Sequence, residues 1–330
     1  MKKIIITLIA VFVVLLVIFV FEVNDKNANK FGAKIFKIEK GEGINKIAGH
    51  LVEQGFIKKK FWFKAYVALS GAKTKFIDGE YNLSTEMTIR ALVRELTNQL
   101  NFNKEVDITL IEGWTVAQVD DYLVGHGLIK AGELIEYSEE FNDKSYFFLI
   151  DRPKKATLEG YLYPDTYRVY AQTKVDEIVK KALNNFDKKL DDELRKESKR
   201  QKKTIFEVVT LASIIEKEMF GYENRRVVAD IFLKRLKVGM ALQSDASVNY
   251  VTGKGLARPT SDDLKIDSLY NTYKYPGLPP GPISNPSIEA IKAVIYPQST
   301  NYWYFLTTPD NKIIFSKSYD EHLKNKYKYY

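Results

Sequence analysis

The chain has 330 residues, enough for two or three domains, and no Cys, which excludes a disulfide framework, a thiolate nucleophile and a Cys-ligated metal. Its three His residues, His50, His126 and His322, stand in unrelated settings, which argues against a His-based metal site or a Ser-His triad. The formal charge of +8 suits an anionic partner such as a membrane surface or an acidic polymer, although the excess sits in Lys-rich helical segments that read first as solvated surface. No nucleic-acid motif, Gly-rich phosphate loop or metal-ligand spacing is present, so no cofactor or metal is expected.

Ile4–Phe21 is an apolar run broken only by Thr7. It is just long enough to cross a bilayer. Lys2 and Lys3 precede it, so the positive-inside rule keeps the N-terminus in the cytoplasm and puts the rest outside. Phe19-Val20-Phe21-Glu22 is no small-x-small cleavage site, so the segment reads as an uncleaved anchor. The polar stretch that follows reads as a short tether.

An internal repeat comes next. Gly41-Glu42-Gly43-Ile44-Asn45-Lys46-Ile47, Leu51-Val52 and Gly55-Phe56-Ile57 return at a constant offset as Gly113-Trp114-Thr115-Val116-Ala117-Gln118-Val119, Leu123-Val124 and Gly127-Leu128-Ile129. Each copy predicts a strand (Ala33–Ile38; Glu105–Ile111), a Gly turn, an amphipathic helix and a Gly stop before a second helix. Tyr81, Leu83, Ile89, Leu92 and Val93 recur as Tyr167, Val169, Val175, Ile178 and Val179, so each copy closes with a short strand and a helix capped at Ser84-Thr85 or Gln172-Thr173. Two β-α-α-β-α units in tandem are expected. The densely charged stretch Ala182–Lys203 reads as an exposed helix.

Thr204–Met219 predicts the central helix, with Thr204 as N-cap and Glu207 completing a capping box. It is apolar almost all round, which marks a buried helix, yet it carries Glu216 and Glu218 near its C-terminal end. Two residues apart on a helix, they point about 160° away from each other and cannot act as one pair. Glu216 falls on the face of Ile205, Val208, Val209, Ala212 and Met219, and Glu218 beside Leu211. A carboxylate on such a helix is either paired, with Arg225, Arg226 or Arg235 just downstream, or held protonated near neutrality as a general acid. The wheel leaves both readings open, and does not choose between the two residues. A helix over Val227–Leu236, the polar Leu242–Val251 segment, the rigid Pro-rich loop Tyr275–Pro286, a helix N-capped by Asn285, and a β-hairpin from Tyr302–Thr307 and Lys312–Ser316 complete an α+β unit. Gln243, Ser244, Asp245, Asn249, Asn271 and Tyr273 are the polar residues able to hold a sugar beside the acid, although Ser244-Asp245 could equally cap a helix and Asn271 serve a turn.

Leu211-Ala212-Ser213-Ile214-Ile215-Glu216-Lys217-Glu218 resembles the signature of the MltG, or YceG-like, family of endolytic murein transglycosylases. So do Leu242-Gln243-Ser244-Asp245, Tyr270-Asn271-Thr272-Tyr273, Gly277–Pro286, Glu159–Tyr167 and the Tyr304-Phe305 hairpin, in the same order. The resemblance implies a membrane-anchored lyase that cleaves the β-1,4 bond between N-acetylmuramic acid and N-acetylglucosamine and leaves 1,6-anhydro ends. It implies Glu218 as the acid/base, Glu216 as its support, and Gln243, Ser244, Asp245, Asn271 and Tyr273 along the sugar groove. It also implies peptidoglycan strands as substrate and a place beside penicillin-binding and SEDS-type synthases, ending strand elongation. The implied fold is α+β. A cytoplasmic N-terminus (1–3), a transmembrane anchor (4–22) and a tether (23–32) precede a LysM-like repeat unit (33–104), a second repeat unit (105–185) and a catalytic domain (186–330). Two departures stand out. Ser244-Asp245-Ala246-Ser247 has small residues where the family often has Thr and Pro, and Ala33–Ile57 lacks a complete LysM sequence. Two rival readings remain, a non-catalytic scaffold that binds peptidoglycan or its synthases, and a muramidase-type hydrolase with Asp245 as second carboxylate.

Overall fold

The computed structural model describes residues 2–25, 33–97, 105–154, 156–171, 173–256 and 258–329. Among the described residues it is a mixed α+β fold of thirteen α-helices and three two-stranded sheets. The chain divides into two units, Met1–Val106 with Tyr170–Gln172, and Asp107–Val169 with Thr173–Tyr330.

The smaller unit begins with α1 (Lys2–Asn24), of which Ile4–Asn24 is long and apolar enough to cross a membrane. Its side chains from Ile4 to Ile18 are exposed, whereas Val23 is buried in the core of the unit. The expected tether lies outside the described residues from position 26 onward. Strand β1 (Ala33–Ile38) pairs antiparallel with β2 (Gly79–Ser84), from Ala33 opposite Ser84 to Ile38 opposite Gly79. Helices α2 (Ile44–Glu53) and α3 (Lys60–Leu69) connect the strands, and α4 (Ile89–Thr97) follows. Phe36, Ile47, Leu51, Phe56, Phe63, Leu83, Leu92 and Leu96 fill the core, Ile47 with Leu51 and Leu92 with Leu96 at the helical spacing of four, and Phe36 and Leu83 from the strands. The first turn of α4 is bonded by the Thr88 hydroxyl, which accepts from the Ala91 N–H, so neither Ser84 nor Thr85 is its cap.

The same element order recurs in β3 (Glu105–Thr109), α5 (Val116–Gly125), α6 (Glu133–Glu140), β4 (Thr166–Tyr170) and α7 (Val175–Lys189), with β3 paired to β4. The shared Gly stops have a physical cause. Gly55 and Gly127 both sit at positive φ, 79° and 69°, where the chain leaves the first helix and its last carbonyls are satisfied by backwards bonds. The charged stretch after position 182 differs from the expected exposed helix. It is the end of α7 and a second helix, α8 (Asp192–Arg200), N-capped by Asp191. Ala182, Leu183, Phe186, Leu190 and Leu194 are buried, because their spacing of three to four hides an apolar seam inside the charged sequence.

Helix α9 (Ile205–Glu218) is the axis of the larger unit. Thr204 and Glu207 form the expected capping box, and every residue from Val208 to Glu216 is buried. Around it pack α10 (Tyr222–Lys237), α11 (Asp245–Thr252) and α12 (Ile288–Ile295). Ser287 rather than Asn285 caps α12, its hydroxyl accepting from the Ala290 N–H. The Asn285 amide is engaged elsewhere, by the Trp114 carbonyl at 2.9 Å and the Leu162 N–H at 2.9 Å. Strands β5 (Tyr304–Thr307) and β6 (Ile313–Ser316) form the antiparallel hairpin, and α13 (Tyr319–Tyr329) follows it.

Candidate active site

The two carboxylates of α9 have opposite surroundings. Glu216 is 8% exposed and fully partnered. Arg225, one turn into α10, donates from Nη2 to Glu216 Oε1 at 2.5 Å. The Ser287 backbone N–H and hydroxyl donate to Oε2 at 2.9 and 2.5 Å. Arg225 also donates to the Met219 carbonyl at 2.9 Å and to Glu289 at 3.3 Å. One ion pair therefore ties the end of α9 to the starts of α10 and α12. The expectation of a downstream arginine partner applies to this residue.

Glu218, the last residue of α9, has no cation partner among the described residues. Its Oε1 accepts from the Ser244 hydroxyl and from the Ala246 N–H at 3.4 Å. Ser244 stands at the N-cap position of α11, but its hydroxyl caps nothing there and points to Glu218 instead. The carboxyl group of Glu218 takes over as acceptor for the first turn of α11. Burial raises its pKa above the ordinary carboxyl range, and the Asp245 charge adds to the rise, while the Ser244 and Ala246 donors oppose it. Such a group, drawn towards protonation by burial and towards ionisation by two donors, can both give and take a proton.

The backbone delivers these groups through a tight turn. Gln243 has φ +55°, a left-handed conformation in which a residue with a Cβ is strained. Its N–H donates to the Thr272 carbonyl at 3.1 Å, and the Ser244 N–H donates to the Thr272 hydroxyl at 2.9 Å. The Gln243 side chain is exposed. Tyr273 donates its phenol to Asp245 Oδ1 at 2.6 Å, and burial, followed by this bond, holds the phenol well above its usual pKa.

Of the polar residues expected at the groove, Ser244, Asp245 and Tyr273 come together with Glu218, and Gln243 borders them. Asn271 is 1% exposed, and its amide bonds the Leu264 and Ile266 carbonyls and the Tyr273 N–H at 2.9, 3.0 and 3.1 Å. Its position is that of a loop scaffold with no free polar atom for a sugar. Asn249 likewise pins the Leu256 backbone. Ser287 and Thr272 are partners that the sequence reading leaves unassigned. Ser287 could have been noticed from its place at the start of an apolar helical run.

A further carboxyl lies nearby in the fold. Glu159 is 6% exposed and accepts the Val116 N–H at 3.1 Å on both oxygens, with the Tyr250 phenol at 3.5 Å. Burial pushes its pKa up to about 8, and no cation pairs with it among the described residues. The next residue, Gly160, has φ +89° and lies against Pro282 and Val209, which is why only Gly fits there.

The YceG-like family model matches residues 36–328. An endolytic murein transglycosylase of Bacillus subtilis is 32% identical over 88% of this chain and 83% of its own length. One of Streptococcus pneumoniae is 29% identical over 91% of the chain, which spans 59% of that longer protein. The crystal structure of a YceG-like protein of Listeria monocytogenes matches with a TM-score of 0.62 at 30% identity, covering 89% of this chain and 99% of the other. With the family model matched over most of the chain and the fold shared with a solved relative, this chain belongs to the YceG-like family.

Proposed function

We propose that the chain is a lytic transglycosylase that cuts the glycan strands of murein, with Glu218 as acid and then base. The observation that carries this reading is the pairing state of the two glutamates: Glu216 is neutralised by Arg225, whereas Glu218 has, among the described residues, only neutral donors, and its pKa is raised. In the first step Glu218 protonates the O4 leaving oxygen of N-acetylglucosamine as the bond to C1 of N-acetylmuramic acid breaks. In the second, the ionised carboxylate takes the proton of the muramic C6 hydroxyl as that oxygen attacks C1. The proton returns to Glu218, no water is consumed, and a 1,6-anhydro end results. The attacking hydroxyl belongs to the substrate itself, so proximity replaces a second carboxylate. The ionised intermediate state is eased by the Ser244 hydroxyl and by the N-terminus of α11. Gln243, Asp245 and Tyr273 border the sugar groove in this reading, and Glu216 and Asn271 hold its frame.

The apolar α1 and the preceding Lys2 and Lys3 support a single-pass anchor with the N-terminus in the cytoplasm and the enzyme outside. From that position it would cut nascent strands beside their synthases and end their elongation. The β-α-α-β order of residues 33–84 and a cleft of about 460 Å³ lined by Glu42, Asn45, Lys46, Lys73, Thr74 and Phe76 support a LysM-like glycan-holding role for the smaller unit.

The test is mass spectrometry of purified glycan strands digested by the full chain in detergent, beside Glu218→Gln. Ends lighter by one water than reducing ends, made by the wild type and reduced roughly 10²-fold or more in the variant, are expected. Reducing ends would instead identify a hydrolase, and an active Glu218→Gln would remove Glu218 from its role.

A further inference from the structure

The last turn of α1 does not leave the smaller unit free below the apolar run. Phe19, two residues from the end of that run, meets Trp62 of α3 with ring centroids 6.2 Å apart. Val23 is 3% exposed within the core, and Lys58 pairs with Asp25 at 2.8 Å. With a rise of 1.5 Å per residue, Phe19 lies within about 3 Å of the end of the run along the helix axis. The Trp62 ring is therefore at the depth where a spanning α1 would leave the hydrocarbon. Phe61 beside it is 66% exposed, its ring 4.8 Å from that of Trp62. Lys59, Lys60 and Lys64 are exposed around the same end of α3. An aromatic pair at the exit of a span, with exposed lysines next to it in the chain outnumbering the nearby Glu22 and Asp25, has the composition of a membrane–water interface, where amphipathic rings seat at the headgroups and ammonium groups meet lipid phosphates.

We propose that the N-terminal end of α3, formed by Lys59, Lys60, Phe61, Trp62 and Lys64, is a docking face for the bilayer surface that prefers anionic lipid. It rests on the reading of α1 as a membrane span. The smaller unit then sits directly on the outer leaflet, with its orientation to the membrane fixed by ring contacts and charge.

The test is depth-dependent quenching of Trp62 in the full chain, with Trp114→Phe and Trp303→Phe, in phosphatidylcholine vesicles with and without phosphatidylglycerol. Lipids brominated near the headgroup should quench Trp62 several-fold more than lipids brominated near the chain end. Phosphatidylglycerol should strengthen the shallow quenching, and Lys59→Glu with Lys60→Glu should abolish that gain. A photoreactive residue at Phe61 in the otherwise native chain should cross-link to lipid, which keeps the result independent of the Trp substitutions. Absence of both quenching and lipid adducts, in a chain that resists alkaline extraction, would overturn the docking face and leave the span intact. Release of the chain by alkali would overturn the span, and the proposal with it.

Discussion

Glu216 and Glu218 are separated by one residue, and their difference comes entirely from what reaches them. Removing one partner of a buried ion pair strands the other charge, so Glu216→Gln should lose roughly 3 kcal/mol in urea unfolding. Glu218→Gln should behave oppositely. Its folded pKa is raised, so ionisation is easier in the unfolded chain, and the wild type loses stability as pH rises from the ordinary carboxyl range through the folded value. The amide removes that penalty, and a melting temperature at neutral pH higher by about 2–4 °C is expected, together with the loss of cleavage. Ser244→Ala removes a donor that lowers the Glu218 pKa, so the alkaline limb of the pH–rate profile should move to higher pH. Sequence made both glutamates visible but could not rank them. The wheel does not decide between them, because it gives the apolar face around Glu216 and not the arginine that arrives from the following helix.

Among the elements, α9 was the most legible: its cap, length and burial all follow from local pattern. The segments around it were less so, because their roles depend on distant partners. Glu159 stood out only as part of a motif, and its bond to the first N–H of α5 joins residues 43 positions apart. Below pH 4.5 this carboxyl is protonated whether the chain is folded or not, and towards pH 8 the unfolded chain ionises it while the fold holds its proton. Stability should therefore fall across that window, and Glu159→Gln should flatten the slope in urea titrations at several pH values. Gly160 carries the same lesson in steric form. A Cβ there would lie 2.6 Å from the Pro282 Cβ and 2.7 Å from Val209 Cγ1. Gly160→Ala should destabilise by roughly 2–4 kcal/mol, read as a lowered melting temperature.

At the scale of the molecule, the tandem repeat was legible as two copies of one element order, but the destination of each copy was not. The second copy shares a unit with the residues from 186 onward. Gly113 N–H donates to the Asn285 carbonyl and Asn285 N–H to the Trp114 carbonyl, both at 2.8 Å, and Lys217 Nζ reaches the Gly113 carbonyl at 3.3 Å. A fragment of residues 186–330 should therefore fail to give a cooperative thermal transition, whereas 107–330 should fold, as differential scanning calorimetry would record. Periodicity reports which face of an element is apolar, but not which of several apolar neighbours will cover it.

The carboxyl group of Glu218 doubles as an acceptor for the first turn of α11. A proton moving on or off this group is thus also a change in how firmly a neighbouring helix is anchored. During a turnover the start of α11 would tighten when the acid is ionised and relax when it is reloaded. The protection of the Ala246 amide against exchange with heavy water would then keep time with the chemistry, giving the enzyme an internal clock that can be read without following any product.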